Sequence, residues 1–215
     1  MLLFSLLFSS LFFIIFLVNS RSSFIHCHTC EAEVAFYTLK KLAPTENGML
    51  HSMETVWDAI DYVVPVMELC ANRSRSAMTL EQRLVDGLMT GGVFLGNHIV
   101  TKQEIANLLQ LIPNNDHTND EINKIATLLS TVETTMACNT VSPTRGKATA
   151  CPMGGPLQSI TWLASKNGFD AGQLILSGMT SKVQAQFNCG DTVTATFEKG
   201  VFGNSKHTLS FQWDK

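Results

Sequence analysis

From residue 24 onward, hydrophobic and polar positions alternate with a period close to two, which predicts a strand over Phe24 to Lys40. Ala32, Val34 and Phe36 fall on one face of it, and Glu31, Glu33 and Ala35 on the other. Met53 to Ile60 then predicts a short helix, with Ser52 placed to accept a hydrogen bond from its first turn. Tyr62 to Leu69 is apolar and β-branched and predicts a second buried strand that carries one acid, Glu68. Pro65 inside that run has no N–H to donate, so an edge or a bulge is expected there. Ser74 to Glu81 is polar and predicts a loop, and Gly91 to Gly96 predicts a short strand bounded by glycines.

The period changes in the middle of the chain. Thr101 to Cys138 predicts helix, with Ile105, Leu108, Leu109 and Ile112 forming one stripe and Ile122, Ile125, Leu128, Leu129 and Val132 another. Pro113-Asn114-Asn115-Asp116 separates the two, and Asn139 to Met153 predicts a loop. Pro156 opens a further helix through Ile160, Trp162, Leu163 and Ala164, which Asn167-Gly168 closes. Three strand-like runs follow, Gln173 to Ser177, Val193 to Phe197 and Thr208 to Trp213, with turns at Gly190-Asp191 and Gly200 to Ser205. The sum is an α+β fold, a mainly antiparallel rolled β-sheet with packed helices.

Composition narrows the class. Hydrophobic residues make up 45% of the 215 positions and charged residues 15%, the balance of a chain that packs a core. A net charge of −3 provides no basic surface for phosphates, so nucleic acid is not an expected partner. Residues 1–20 stand apart as an apolar leader, and the expected domain spans residues 21–215. Leu2 to Val18 carries no charge. The run is long for a signal-peptide core and short for a spanning helix of about 20 residues. Three readings of it stay open: a signal, a membrane anchor that puts residues 2–18 in contact with lipid, or a wrong start in place of the true amino-terminal region. The first two put the protein in the secretory pathway or on a membrane, and the third in the cytoplasm.

Glu31 and Glu33 are the chemical question the sequence poses. Most such pairs lie on a solvated strand face and bind nothing. On a buried face, two charged carboxylates side by side require a cation or a proton. A hard divalent ion such as Mg²⁺, with open positions for a chelating substrate, answers that requirement, and Glu68 is a reasonable third ligand.

The last third of the chain decides between the two. Gly154-Gly155-Pro156-Leu157, Thr161-Trp162-Leu163-Ala164, Ala171 to Gly178 and Cys189-Gly190-Asp191 resemble, in order and spacing, the end of the 2-keto-4-pentenoate hydratase family of the fumarylacetoacetate hydrolase superfamily. Earlier landmarks of that family also resemble Glu31 to Phe36, Asp61 to Glu68 and Gly91 to Gly96. The resemblance implies a fumarylacetoacetate hydrolase C-terminal-like fold, with Glu31, Glu33 and Glu68 binding Mg²⁺ or Mn²⁺. It further implies a lyase, a hydratase or decarboxylase of short 2-oxo acids such as 2-hydroxypenta-2,4-dienoate, working through a metal-stabilised enolate. Ser177 and Gly178 match a turn near the substrate in that family and are expected to line the site, with a plain strand-ending turn as the alternative. Relatives commonly form homo-oligomers, which is the expectation for this chain as well.

The sequence also departs from the family. The family's amino-terminal region, with a lysine and an acid for proton transfer, has only the leader in its place, so no catalytic residue is assigned. The family's D-S-R is Ala71-Asn72-Arg73 here, its A-D-N is Val85-Asp86-Gly87 and its G-H-P is Gly154-Gly155-Pro156. These changes raise an alternative: a catalytically degenerate relative that keeps the fold as a binding or structural protein. Cys27 and Cys30 form a C-x-x-C, but strand alternation sends them to opposite faces and no second pair completes a zinc site.

Overall fold

The structure is a computed structural model that describes residues 26–72, 90–111, 117–184 and 190–212. The leader, the loop expected at 74–81, Val85-Asp86-Gly87, the Pro113 to Asp116 break, Cys189 and Trp213 lie outside the described residues. Two antiparallel sheets, neither closed into a barrel, share one hydrophobic core with the helices.

The first sheet is built on β1 (His26–Thr38) and β2 (Ile60–Asn72). Its strand order is β3-β2-β1-β7, where β3 is Thr90–Leu95 and β7 is Leu174–Gln184; β4 (Val100–Thr101) also pairs with β2. The second sheet has the order β6-β5-β8-β9, from β5 (Glu133–Cys138), β6 (Val141–Lys147), β8 (Thr192–Glu198) and β9 (His207–Gln212). The helices are α1 (Met53–Asp58), α2 (Lys102–Leu109), α3 (Asn119–Ser130) and α4 (Pro156–Asn167). Ser52 caps α1 as expected, accepting from the N–H of Thr55. α2 and α3 each begin with a capping box, Thr101 with Glu104 and Thr118 with Glu121.

The alternation of β1 sorts its side chains as the sequence predicts. Ala32, Val34 and Phe36 face the main core, where they meet Trp57, Met67, Ile125, Leu129 and Ile160. The opposite face carries a small apolar cluster of Ala35, Val64 and Val66, and the two glutamates lie on that side. One face of the sheet thus supplies most of the hydrophobic stabilisation, while the other holds polar chemistry on a rigid platform.

Four expectations need correction. Residues 133–138 form β5 rather than the end of a helix: α3 ends at Ser130, and Glu133 to Cys138 alternate half-buried and buried along a strand. Asn139 to Met153 is not a loop throughout, because Val141–Lys147 forms the edge strand β6, whose Pro143 suits an edge. Gln173 to Ser177 is only the start of an eleven-residue strand, and that strand belongs to the first sheet, apart from β8 and β9. Pro65 makes no bulge and sits on a central strand. Its carbonyl accepts from Gly96 N at 2.8 Å, and it falls between the stretches of β2 that pair with β3 and with β4, so its missing donor breaks no ladder.

The two sheets meet where β7 passes β5 and β6. The Thr134 hydroxyl bonds Thr180 Oγ1 at 2.9 Å and Ser181 Oγ at 2.8 Å, all buried. Gly146 packs directly on the Thr180 carbonyl and leaves no room for a β-carbon.

Candidate metal centre

Register brings the acids together. Glu31 on β1 lies directly across from Glu68 on β2, with Glu33 opposite Val66 and Ala35 opposite Val64. Directly opposed residues share a face with their Cβ atoms about 5 Å apart, an arrangement in which like charges destabilise a sheet. Glu33 is 2% exposed and Glu68 7%, while Glu31 is half-buried. Glu68 stands beside Glu33, and both its charge and its side chain act to raise the Glu33 carboxyl.

The electrostatics follow from this packing. Burial pushes the Glu33 carboxyl well above the ordinary carboxylate range; the Glu68 charge and the hydrogen bond to Glu68 push it further, the Gly178 N–H opposes them, and Glu31 adds a smaller upward push. Glu31 is raised as well, by burial and then by Glu68, against the pull of Lys182 and a hydrogen bond with Cys70. Lys182 stands opposite Glu31 on β7.

β7 is irregular where it passes these acids. Its register against β1 slips between Ala32 and Glu33, where Thr180 is an extra residue, and again between Glu33 and Ala35, where Ser177 and Gly178 together oppose Val34. Gly178, at φ +100°, turns its N–H onto Glu33 Oε2 at 2.8 Å. Thr180 closes the other bulge by donating its hydroxyl to the Ala32 carbonyl at 2.7 Å. Ser177 and Gly178 are therefore interior to a strand, which removes the reading of them as a strand-ending turn. Ser177 is buried against the Cys151 thiol, which also contacts the Gly178 carbonyl at 3.3 Å. Burial pushes that thiol up to about 11.

Among the described residues, the side chains whose ligand atoms gather within 4.8 Å of one another are Glu31, Glu68 and Cys70. Glu33, expected from sequence as a ligand, is not a member of this group, although it lies close enough to Glu68 for the two to interact. Cys70 was not anticipated from sequence, although its place two residues after Glu68 on one strand puts both on one face. Cys30, by contrast, is fully buried in the main core, and nothing is described for the Cys27 side chain. The donor set fits a divalent cation: adjacent carboxylates that otherwise keep protons at a cost in burial are neutralised by one ion.

A family model described as fumarylacetoacetate (FAA) hydrolase C-terminal matches residues 20–209. No curated protein is similar enough to match the sequence. Among solved structures, the fold is similar to that of 4-oxalocrotonate decarboxylase from Pseudomonas putida G7, solved with magnesium and adipate. The identity is 20% and the TM-score 0.59, over 84% of this chain and 59% of that one. The same decarboxylase was also solved with calcium and acetate. A fumarylacetoacetate hydrolase family protein of yeast gives 16% identity and a TM-score of 0.60, over 88% of this chain and 69% of that one. A 5-carboxymethyl-2-hydroxymuconate delta-isomerase from Mycobacterium smegmatis gives 17% and 0.50, over 86% and 58%. The chain thus spans a little under three fifths of the decarboxylase's length. Among the described residues, no helix is long and apolar enough to cross a membrane. With the family model covering most of its length, the chain belongs to the fumarylacetoacetate (FAA) hydrolase C-terminal family.

Proposed function

We propose that the protein is a divalent-metal-dependent lyase of short 2-oxo acids, of the hydratase and decarboxylase type, with Glu31, Glu33 and Glu68 holding Mg²⁺ or Mn²⁺. The observation that carries the reading is the cross-strand pairing of Glu31 with Glu68, with buried Glu33 on the same face two residues along β1. The similar decarboxylase structures, complexed with magnesium and adipate or with calcium and acetate, support it.

When bound, such an ion supplies Lewis-acid stabilisation of the enolate on the path to water addition or decarboxylation. The chain's own residues prepare that site. β1 and β2 fix the spacing of Glu31 and Glu68 through their ladder, so little side-chain order has to be gained on binding. Gly178 N–H orients Glu33. Ser177 and Gly178, whose hydroxyl and carbonyl the Cys151 thiol contacts, are the residues assigned to line the substrate site in this reading.

Calorimetric titration with Mg²⁺ and turnover assays with 2-hydroxypenta-2,4-dienoate and oxaloacetate test this. Binding that Glu31→Gln and Glu33→Gln weaken, together with turnover of either acid, is the expected result. Binding without turnover of any 2-oxo acid favours the degenerate relative, to which the changes at Ala71-Asn72-Arg73 and Gly154-Gly155-Pro156 point. Failure to bind any divalent ion overturns the metal-dependent reading.

A further inference from the structure

We propose that Cys70 is a further ligand of the same metal, so that the site is a mixed carboxylate and thiolate centre that takes thiophilic ions such as Zn²⁺, Co²⁺ or Cd²⁺ through its sulfur as well as Mg²⁺ or Mn²⁺ through its carboxylates. The inference rests on the metal reading given above and adds to it the identity of a ligand. Cys70 Sγ and carboxylate oxygens of Glu31 and Glu68 all lie within 4.8 Å of one another. Around a tetrahedral ion with metal–oxygen bonds near 2.0 Å and metal–sulfur bonds near 2.3 Å, such atoms stand roughly 3.5 Å apart. Closing the group therefore asks for a contraction of about an ångström, which the half-buried Glu31 side chain supplies by rotation.

The backbone makes the arrangement rigid. Glu68 and Cys70 are two residues apart on β2 and project from one face, and Glu31 faces Glu68 across the ladder. Cys70 is 8% exposed and its sulfur already lies within 4.8 Å of carboxylate oxygens of Glu31 and Glu68, so it faces the acids before any ion arrives. A sulfur ligand adds little for Mg²⁺, which takes hard oxygen donors, and a great deal for borderline and soft ions. On coordination the thiol loses its proton to solvent and the sulfur enters as thiolate.

The test is optical titration of the full chain with Co²⁺ and Cd²⁺, beside Cys70→Ser, Cys70→Ala and Glu31→Gln. Zinc-like ions outbind magnesium at most sites, so the ligand signature decides rather than affinity alone. A thiolate-to-metal charge-transfer band in the unmodified protein that both Cys70 variants lose, with Cd²⁺ affinity falling by about 100-fold or more, is expected. Mg²⁺ affinity falls far less in the same variants. A wild-type protein that binds Co²⁺ with no such band, or a band that survives in Cys70→Ser, overturns the role of Cys70 and leaves the carboxylate site standing. Absence of binding by Co²⁺, Cd²⁺ and Mg²⁺ alike overturns both readings together. The wild-type spectrum needs no variant to fold, and Glu31→Gln, which leaves Cys70 in place, is expected to weaken the band.

Discussion

The backbone N–H of Gly178 donates to Glu33 Oε2 across 2.8 Å, from a bulge in β7 to the neighbouring strand β1. Glycine is required there twice over. Its φ of +100° is one that L side chains rarely adopt, and a β-carbon would lie 2.5 Å from Pro152 Cδ. Gly178→Ala is expected to destabilise the protein by about 1–3 kcal/mol through backbone strain alone, with the Pro152 clash in addition. The shift in urea midpoint measures it, and an unchanged midpoint contradicts the role given to the bulge.

The acids predict a particular dependence of stability on pH. Glu33 and Glu31 hold protons in the folded chain that the unfolded chain releases above the ordinary carboxylate value of 4.5. Their contribution is complete below that value and is lost as pH rises through the folded values. The metal-free protein is therefore expected to lose stability as pH climbs above 4.5, and saturating Mg²⁺ to reduce or reverse that slope. Glu33→Gln keeps an acceptor for Gly178 N–H without a charge, and is expected to flatten the profile. Denaturant unfolding of both proteins across pH, with and without the ion, checks the sign.

The joint between the sheets depends on buried hydroxyls. Thr134→Val removes the donor to buried Ser181 Oγ and one of the contacts of Thr180 Oγ1, which keeps its bond to the Ala32 carbonyl, and is expected to cost about 1–3 kcal/mol. Gly146→Ala places a β-carbon inside the Thr180 backbone carbonyl. It is expected to give far less soluble folded protein than Thr134→Val, as read by expression yield and circular dichroism.

Much of this site was legible because its strands obey the period of two. Alternation alone put Glu31 and Glu33 on one face of β1, and Ser52 before Met53 marked the start of α1. Cys70 was not legible, since the apolar run ends at Leu69 and gives no sign that the strand continues to Asn72. β6 was missed because Ser142 to Arg145 are exposed on an edge strand, where no hydrophobic pattern is needed. β5 was absorbed into the preceding stripe, whose last member, Val132, is buried as a helical position would be although α3 stops at Ser130. Ser177-Gly178 has the composition of a turn. Only the pairing of β7 with β1, between residues far apart in sequence, shows that the same dipeptide bulges a strand and aims an N–H at an acid.

The central claim is that Glu31, Glu33 and Glu68 are gathered to hold one divalent ion. Electron paramagnetic resonance titration of the full chain with Mn²⁺ tests it most directly, read beside Glu68→Gln, the acid that touches both others. One bound Mn²⁺ per chain, lost in Glu68→Gln while the fold persists by circular dichroism, is the predicted result. Mn²⁺ that stays free in solution with the unmodified protein, or binds Glu68→Gln equally well, contradicts it.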